Sequence, residues 1–589
     1  MARIFHDYFS KATQKQLVFI WVIFCFAALS YGLDGVPPYH SDENFYVESS
    51  RNMVQSGDYL TPVYHDKKRF AKPILYYWLV SVSYKIFGVN LVSARLTSVF
   101  FGSLTIALLY LISSRLFEGR VALYSVLIFP ATFLHFQISR WATTDIVLSF
   151  FILMALYFFV CSYQEDFKNK PDIYLFYLAM ALGFMTKGPP AIIIPGLVAL
   201  FFLLVTKRLK FYPQWLMGQG FVIMLLVIVP WFATMFFLHG DEFKNHIVGA
   251  EVKDRLVHDT PFSMYYFWVL FRYHLPWALF FFIAVLHQTG VCSLSLSPVS
   301  GGPEYFRQIV NDIKICCKSL LTREQEPVLF CYLWILVCLA LFTFVRTEHS
   351  RYMLPASSAV AILTARFFSD MEGLKGGLDW LGFKVPQILS GLILLTAGIF
   401  SVVILYLLGL IYPVPGYFFL LSLFFLAGAF GVLVVSKKQQ YGKQVFAISI
   451  SLVLAFSFLS GKIIPHTNRY PMKSFSEKIL SKKFSSPVAI YGLGNQRARL
   501  GVLTGQKVLR FNTPSEIKGF IQSGRQVMVI IREEDMRENF SGNTLKVVAE
   551  DVVWRGGRID WKRMKELVER VKSGNFSNLT EKIYLLSNM

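Results

Sequence analysis

Residues 95–116 read RLTSVFFGSLTIALLYLISSRL. No charge falls between Arg95 and Arg115, and the block has the length that a helix needs to cross a bilayer. That length is about 20 residues, for roughly 30 Å of hydrocarbon at 1.5 Å per residue. Blocks of this kind recur on both sides of it, so the unit repeated along this chain is an apolar helix rather than a barrel strand. We place spans at 17–34, 95–116, 121–138, 145–163, 173–188, 190–206, 215–238, 265–286, 327–345, 352–370, 386–411, 417–436 and 444–464. The stretch 73–88, PILYYWLVSVSYKIFG, is short and rich in Tyr and Trp, which favour the headgroup level; we read it as a helix lying on the membrane surface.

Composition agrees. Of 589 residues 54% are apolar and only 16% charged, and mean hydropathy is +0.48, outside the range of soluble domains. The formal charge of +21 accompanies no basic run interleaved with stacking aromatics, so anionic lipid rather than nucleic acid is the expected partner of that charge. The seven cysteines form no CxxC pair, which argues against a disulfide framework or a zinc site. The apolar run from Leu17 is followed by no small-residue cleavage site and reads as an uncleaved first helix.

With the N-terminus cytoplasmic, Lys207, Arg208 and Lys210, the 287–326 loop, and Lys437, Lys438 and Lys443 fall inside, as the positive-inside rule asks. Loops 35–94, 139–144, 239–264 and 346–351 then lie outside, together with the chain from 465. The expected architecture is an all-α polytopic membrane bundle of about thirteen helices over 1–464, followed by a small α/β domain over 465–589. Within that tail, VAIYGL (488–493), KVLRF (507–511) and QVMVII (526–531) read as strands and TPSEIKGFIQSG (513–524) as a helix. Gly492-Leu493-Gly494 follows a strand, but Arg497 stands where a dinucleotide fingerprint needs glycine, so no nucleotide site is expected there.

The outside loops hold the chemistry. Asp42 and Glu43 lie just beyond the first helix; a helix N-terminus explains acids there by capping, and the functional reading is a carboxylate acting as general base or orienting an acceptor. Lys72 precedes Pro73 at phosphate level, and its plain reading is a snorkelling anchor. Arg140, Asp145, Lys187, Arg255 and the segment Arg346–Arg351 border apolar helices on the same face. Ionisable groups held near hydrocarbon cost about 2.5–3.5 kcal/mol each unless paired or solvated, so one shared polar cavity explains them together. Such a cavity suits a lipid-linked phosphate, whose departing charge the cations would stabilise.

These residues resemble a known family. Ser41-Asp42-Glu43, Arg51-Asn52-Met53, Gly57-Asp58-Tyr59-Leu60, Lys72-Pro73 with Tyr76-Tyr77-Trp78, Ala94-Arg95-Leu96, Thr144-Asp145, Lys187-Gly188-Pro189, Pro230-Trp231, Arg255, Leu275-Pro276-Trp277 and Arg351-Tyr352-Met353-Leu354-Pro355 occur in the order and spacing of the GT-C integral-membrane glycosyltransferases. The likeness is specifically to the bacterial aminoarabinose transferase and protein O-mannosyltransferase group. It implies a bacterial inner-membrane enzyme with its active site and C-terminal domain on the periplasmic face. Such an enzyme moves 4-amino-4-deoxy-L-arabinose or a related amino sugar from undecaprenyl phosphate to lipid A or another glycoconjugate. It also implies Asp42 as the catalytic carboxylate, with Asp145 and Glu43 as further acids. Lys72, Arg255 and Tyr352 would hold the carrier phosphate, and Lys187, Arg140, Tyr46 and Tyr76 would line the substrate site. Relatives often carry Glu-Lys-Pro where this chain has Ala71-Lys72-Pro73, which removes a carboxylate that helps to hold a divalent metal; no metal ligand is assigned. A protein O-mannosyltransferase-like enzyme and a transporter or flippase are the alternatives. The latter calls for internal repeats and helices broken at the midplane, whereas the charges here gather at one face.

Overall fold

The computed structural model describes residues 11–38, 41–117, 119–211, 218–247, 249, 263–288, 321–345, 348–373, 384–409, 414–436, 440–468, 470–482, 487–493, 496–523, 526–540, 545–554 and 580–588. Among the described residues, each of the thirteen expected spans overlaps helix. Eight described helices are long and apolar enough to cross a membrane, and ten if two bent pairs each count as one span; the count of thirteen is not established. The bent pairs replace two spans read as straight: Gly119–Ala131 with Phe133–Ser139, at 65°, and Tyr265–Arg272 with Trp277–Leu286, at 114°. Pro130 and Pro276 sit at these breaks, where proline removes a helix donor. Pro190–Val205 is a shorter apolar helix.

Burial sorts the helices into centre and rim. In Leu91–Leu116 and Thr144–Gln164, 72% and 78% of the apolar window lies inside the protein, against 22% in Thr13–Ser30 and 17% in Gly218–His246. Central helices need close approach, and small residues supply it. At Gly102 a Cβ would come within 2.5 Å of Ser139 Oγ, and at Gly32, where φ is +65°, a side chain would run into the Gly461 backbone. The rim helices instead turn Phe19, Ile20, Leu226 and Phe237 outward, as a lipid solvent allows.

The stretch read as a surface helix is Leu75–Phe87, and it is two-faced. Tyr76, Tyr77, Val80 and Tyr84 are buried against the protein, while Val82, Ile86 and Phe87 are exposed. It packs against Ser41–Ser56 and Leu91–Leu116.

The C-terminal sheet has five strands in the order Val508–Phe511, Val488–Tyr491, Met528–Arg532, Thr580–Ser587, Lys546–Trp554. The first three run parallel, with Val488 opposite both Val508 and Met528, and the last two run antiparallel. Strand periodicity sends Val488 and Ile490 to one face, with Phe475, Ile479 and Leu500, and Ala489 and Tyr491 to the other, with Ile517 and Phe540. The expected helix is Pro514–Ile521, where the Glu516 carboxylate accepts from the Thr513 N–H at 3.3 Å, as the T-x-x-E pattern requires.

The C-terminal sheet sits on the helix Ser41–Ser56 through a short hairpin, Val63–Tyr64 paired with Lys67–Lys68. The hairpin turn is His65-Asp66, both at positive φ, a conformation that costs non-glycine residues. Contacts at the tip hold it: Asp66 accepts from Arg497 Nη2 at 2.7 Å, and His65 packs beside Glu48 at 3.4 Å. Burial, then Arg497 and Arg510, push His65 down to about 4 against the pull of Asp66, so it is neutral at pH 7. Between pH 6.5 and about 4 the unfolded chain binds a proton that this histidine refuses. Docking stability contributed by His65 is therefore complete above pH 6.5 and falls as the pH drops toward 4. Hydrogen exchange in Gln496–Thr504 should accelerate over that window, and less so in a His65→Gln variant; equal pH profiles for the two proteins would refute the assignment.

Candidate active site

Four helix ends meet on one side of the bundle. Ser41–Ser56 begins with Asp42 and Thr144–Gln164 begins with Asp145, each carboxylate at the positive end of a helix dipole. Lys170–Lys187 ends on Lys187 at the negative end, and Gly188, at φ +88°, turns the chain away. The short 3₁₀ turn Ser350–Met353 supplies Arg351 and Tyr352.

The side chains form one chain of charge. Arg351 Nη2 donates to Asp42 Oδ2 at 2.6 Å, and Arg351 Nε lies 3.6 Å from Asp145 Oδ2. The other Asp145 oxygen, Oδ1, accepts from Lys187 Nζ. That ammonium in turn sits over the Tyr352 ring, 4.6 Å from its centre, a cation–π contact. Two carboxylates thus balance two cations. Asp145, Lys187 and Arg351 are 5–8% exposed, while the Asp42 side chain is 34% exposed. Asp42 is therefore the member a substrate can reach. Tyr352 also packs on Phe342 and His349, with centroids at 5.1 and 5.2 Å.

Consecutive residues on a helix diverge by about 100°, so Asp42 and Glu43 cannot share one task. Glu43 is fully buried; its oxygens accept from Arg95 Nε at 2.6 Å and Nη2 at 2.9 Å, and Oε1 also accepts from the Ala142 N–H at 3.0 Å. Glu43 is thereby committed to holding the fold, which corrects the expectation of a third catalytic acid. Arg140 is corrected likewise: its guanidinium donates to the Leu29, Tyr31 and Gly32 carbonyls at 2.6, 2.8 and 3.4 Å. Tyr76 is buried with its hydroxyl 2.8 Å from Ser98 Oγ, and its ring meets that of Tyr46 edge-on at 5.0 Å. Tyr46 is buried as well, one turn beyond Asp42, so both tyrosines support the site from beneath. Lys72 is half-buried, with Nζ donating to the Ala71 carbonyl at 2.7 Å. Arg255 and Arg346 lie outside the described residues. Among the described residues no three His, Cys, Asp or Glu side chains gather as a metal cluster.

The sequence reading underrated Arg95, named within a motif without a role, and placed Arg351 among the cavity cations without a carboxylate partner. A signal was present: two adjacent acids on a helix at a membrane boundary call for two cations from different directions.

This arrangement of helices and C-terminal sheet is the GT-C fold. Its likeness is to the aminoarabinose transferase branch, since the chain superposes on ArnT from Cupriavidus metallidurans with a TM-score of 0.70 over 98% of both chains at 17% identity. That structure holds undecaprenyl phosphate, and the apo form of the same protein gives 0.69. A family model described as dolichyl-phosphate-mannose-protein mannosyltransferase matches residues 71–233. Among curated relatives, an uncharacterized protein of Aquifex aeolicus is 28% identical over 361 residues, 60% of this chain and 63% of that one. The undecaprenyl phosphate-alpha-4-amino-4-deoxy-L-arabinose arabinosyl transferase of Serratia proteamaculans is 27% identical over 393 residues, 65% of this chain and 64% of that one. The chain thus spans just under two thirds of the length of these relatives.

Proposed function

We propose that this protein is a polyprenyl-phosphate-sugar-dependent glycosyltransferase of a bacterial inner membrane, working on the periplasmic face. The observation that carries the reading is the accessible Asp42 carboxylate, fixed by Arg351 at the open end of a buried ion-pair chain. The similarity to aminoarabinose transferases supports undecaprenyl phosphate as carrier, 4-amino-4-deoxy-L-arabinose or a related amino sugar as the group moved, and a lipid A phosphate as acceptor.

In the transfer the bond from the sugar C1 to the donor phosphate oxygen breaks and an acceptor oxygen bonds to C1, releasing polyprenyl phosphate. Negative charge grows on the leaving phosphate, and Lys72 and Arg255 are the cations assigned to it. A hydroxyl acceptor must lose its proton, and Asp42, hydrogen-bonded by Arg351 at the open end of the ion-pair chain, is the base. A phosphate acceptor is already anionic, so Asp42 then orients it and takes no proton. The mannosyltransferase match over residues 71–233 favours a hydroxyl acceptor as the second reading.

The deciding experiment is mass spectrometry of lipid A and surface glycoconjugates from cells with and without the chain. A difference of one sugar is expected on one of them, and identical spectra would overturn the proposal. Lys72→Ala should weaken carrier binding roughly tenfold through loss of a charge-assisted phosphate contact; unchanged binding by the folded variant would return Lys72 to an anchoring role. Orientation is tested at Asp66, which is exposed. A cysteine placed there should react with a membrane-impermeant reagent applied to cells whose outer membrane has been permeabilised, and protection would reverse the topology.

A further inference from the structure

Leu275-Pro276-Trp277 stands where the chain breaks a span in two. Proline has no N–H to give and disfavours helix in the residue before it, so Tyr265–Arg272 ends ahead of Pro276 and Trp277–Gln288 begins after it. The two pieces meet at 114°. In the first, Tyr266, Val269 and Leu270 are buried at i, i+3, i+4 spacing while Met264, Phe267 and Trp268 are exposed, so the piece lies against the protein along one face.

That face packs on the turn Ser350–Met353, which carries Arg351 and Tyr352. A single 3₁₀ turn is a weak support for an arginine that must reach Asp42, since its own hydrogen bonds are few and poorly aligned. Here the turn is gripped at both ends. At its entrance the His349 N–H donates to the Tyr266 hydroxyl at 3.5 Å. At its exit His274 Nε2 and Ser357 Oγ are hydrogen-bonded at 2.9 Å, and the same hydroxyl donates to the Met353 carbonyl at 3.2 Å. His274, Ser357 and Met353 are fully buried. The brace is itself anchored, because the Tyr273 carbonyl accepts from the Phe133 N–H at 3.1 Å. A leucine would fill the place of His274 without polar atoms to satisfy, so the imidazole is a cost unless its hydrogen bond is used.

We propose that His274, acting through Ser357, is a positioning residue for Arg351 and so for the Asp42 carboxylate that Arg351 holds. The inference rests on the transferase reading and adds an element outside the ion-pair chain that aims it. Donor capture is assigned to Lys72 and Arg255, so loss of the brace acts on turnover of the bound donor rather than on its binding.

The test uses the full chain in phosphatidylcholine nanodiscs, with undecaprenyl phosphate-4-amino-4-deoxy-L-arabinose as donor and lipid A as acceptor. Ser357→Ala, which removes one oxygen and spares the packing, and His274→Leu should each lower kcat roughly ten- to a hundredfold, with KM for the donor little changed. His274→Gln offers both a donor and an acceptor at the reach of Nε2 and should restore most of the rate. In an Arg351→Lys background Ser357→Ala should cost little more, because members of one contact chain are not additive. A merely structural role would add its full loss there. Unchanged kcat in Ser357→Ala, or full additivity with Arg351→Lys, overturns the proposal even if His274→Leu does not fold. Hydrogen exchange over residues 350–354, which needs no turnover, should be faster in Ser357→Ala than in the wild type. Wild type that transfers no sugar defeats the transferase reading, and exchange then decides this inference separately: faster exchange in Ser357→Ala keeps the brace, and unchanged exchange removes it.

Discussion

Asp42→Asn should lower sugar transfer by roughly 10²–10⁴-fold if the acceptor is a hydroxyl, the range associated with losing a general base. Asparagine serves as well as aspartate at a helix start, so expression, insertion and thermal stability should stay close to wild type. Carrier binding should persist too, since the phosphate cations are untouched. With a phosphate acceptor the loss should be smaller, because there is no proton to accept and only the orienting charge is gone. The variant therefore reports on the acceptor as well as on the residue. Full activity at wild-type expression would remove Asp42 from the chemistry and leave Asp145 as the carboxylate to examine, since Glu43 is bound to Arg95.

Arg95→Ala should fail in the opposite manner, by loss of fold. It strips the fully buried Glu43 of its two-point partner and leaves the Leu33, Val36 and Pro37 carbonyls without their donor. Removing one member of a buried pair costs about 3–5 kcal/mol. A marked fall in the detergent unfolding temperature is expected, while Glu43→Gln, which can still accept from Arg95 and Ala142, should fall less. An unchanged unfolding temperature in Arg95→Ala would show that the pair does not hold the outer loop. Set beside Asp42→Asn, the two results would divide neighbouring acids into one for chemistry and one for architecture.

The bundle was legible because hydrocarbon thickness writes its length into the sequence: 95–116 is helix at Leu91–Leu116 and 145–163 at Thr144–Gln164. Bends were not legible. At 121–138 and 265–286 composition reads straight through a break, because apolarity says nothing of direction. In the tail, the strands at 488–493, 507–511 and 526–531 showed by their short apolar runs, while Lys546–Trp554 and Thr580–Ser587 did not. Lys546–Trp554 lies at the sheet edge, and its adjacent Glu550 and Asp551 and a register irregularity between Val547 and Ala549 break the period-two pattern that marks a strand. Of the residues read as site candidates, Asp42, Asp145, Lys187 and Tyr352 lie together in one chain of contacts. Arg140 was misread for a physical reason: a basic residue at a membrane boundary looks the same whether it binds a phosphate or a backbone. Only the carbonyls of Leu29, Tyr31 and Gly32 at its tip decide between the two.

That grip on carbonyls has a consequence for how the outer end of the first helix can change. Arg95 and Arg140 between them hold the carbonyl oxygens of Leu29, Tyr31, Gly32, Leu33, Val36 and Pro37, so what they recognise is main chain, which every amino acid shares. Substitution of the captured side chains should be tolerated wherever volume permits, with Gly32 excepted because Gly461 presses on it. The information that fixes this corner is stored far from it in the chain, in two arginines, so that beyond the core-packed Leu29 and Leu33 its side chains can drift without moving the helix start where Asp42 stands.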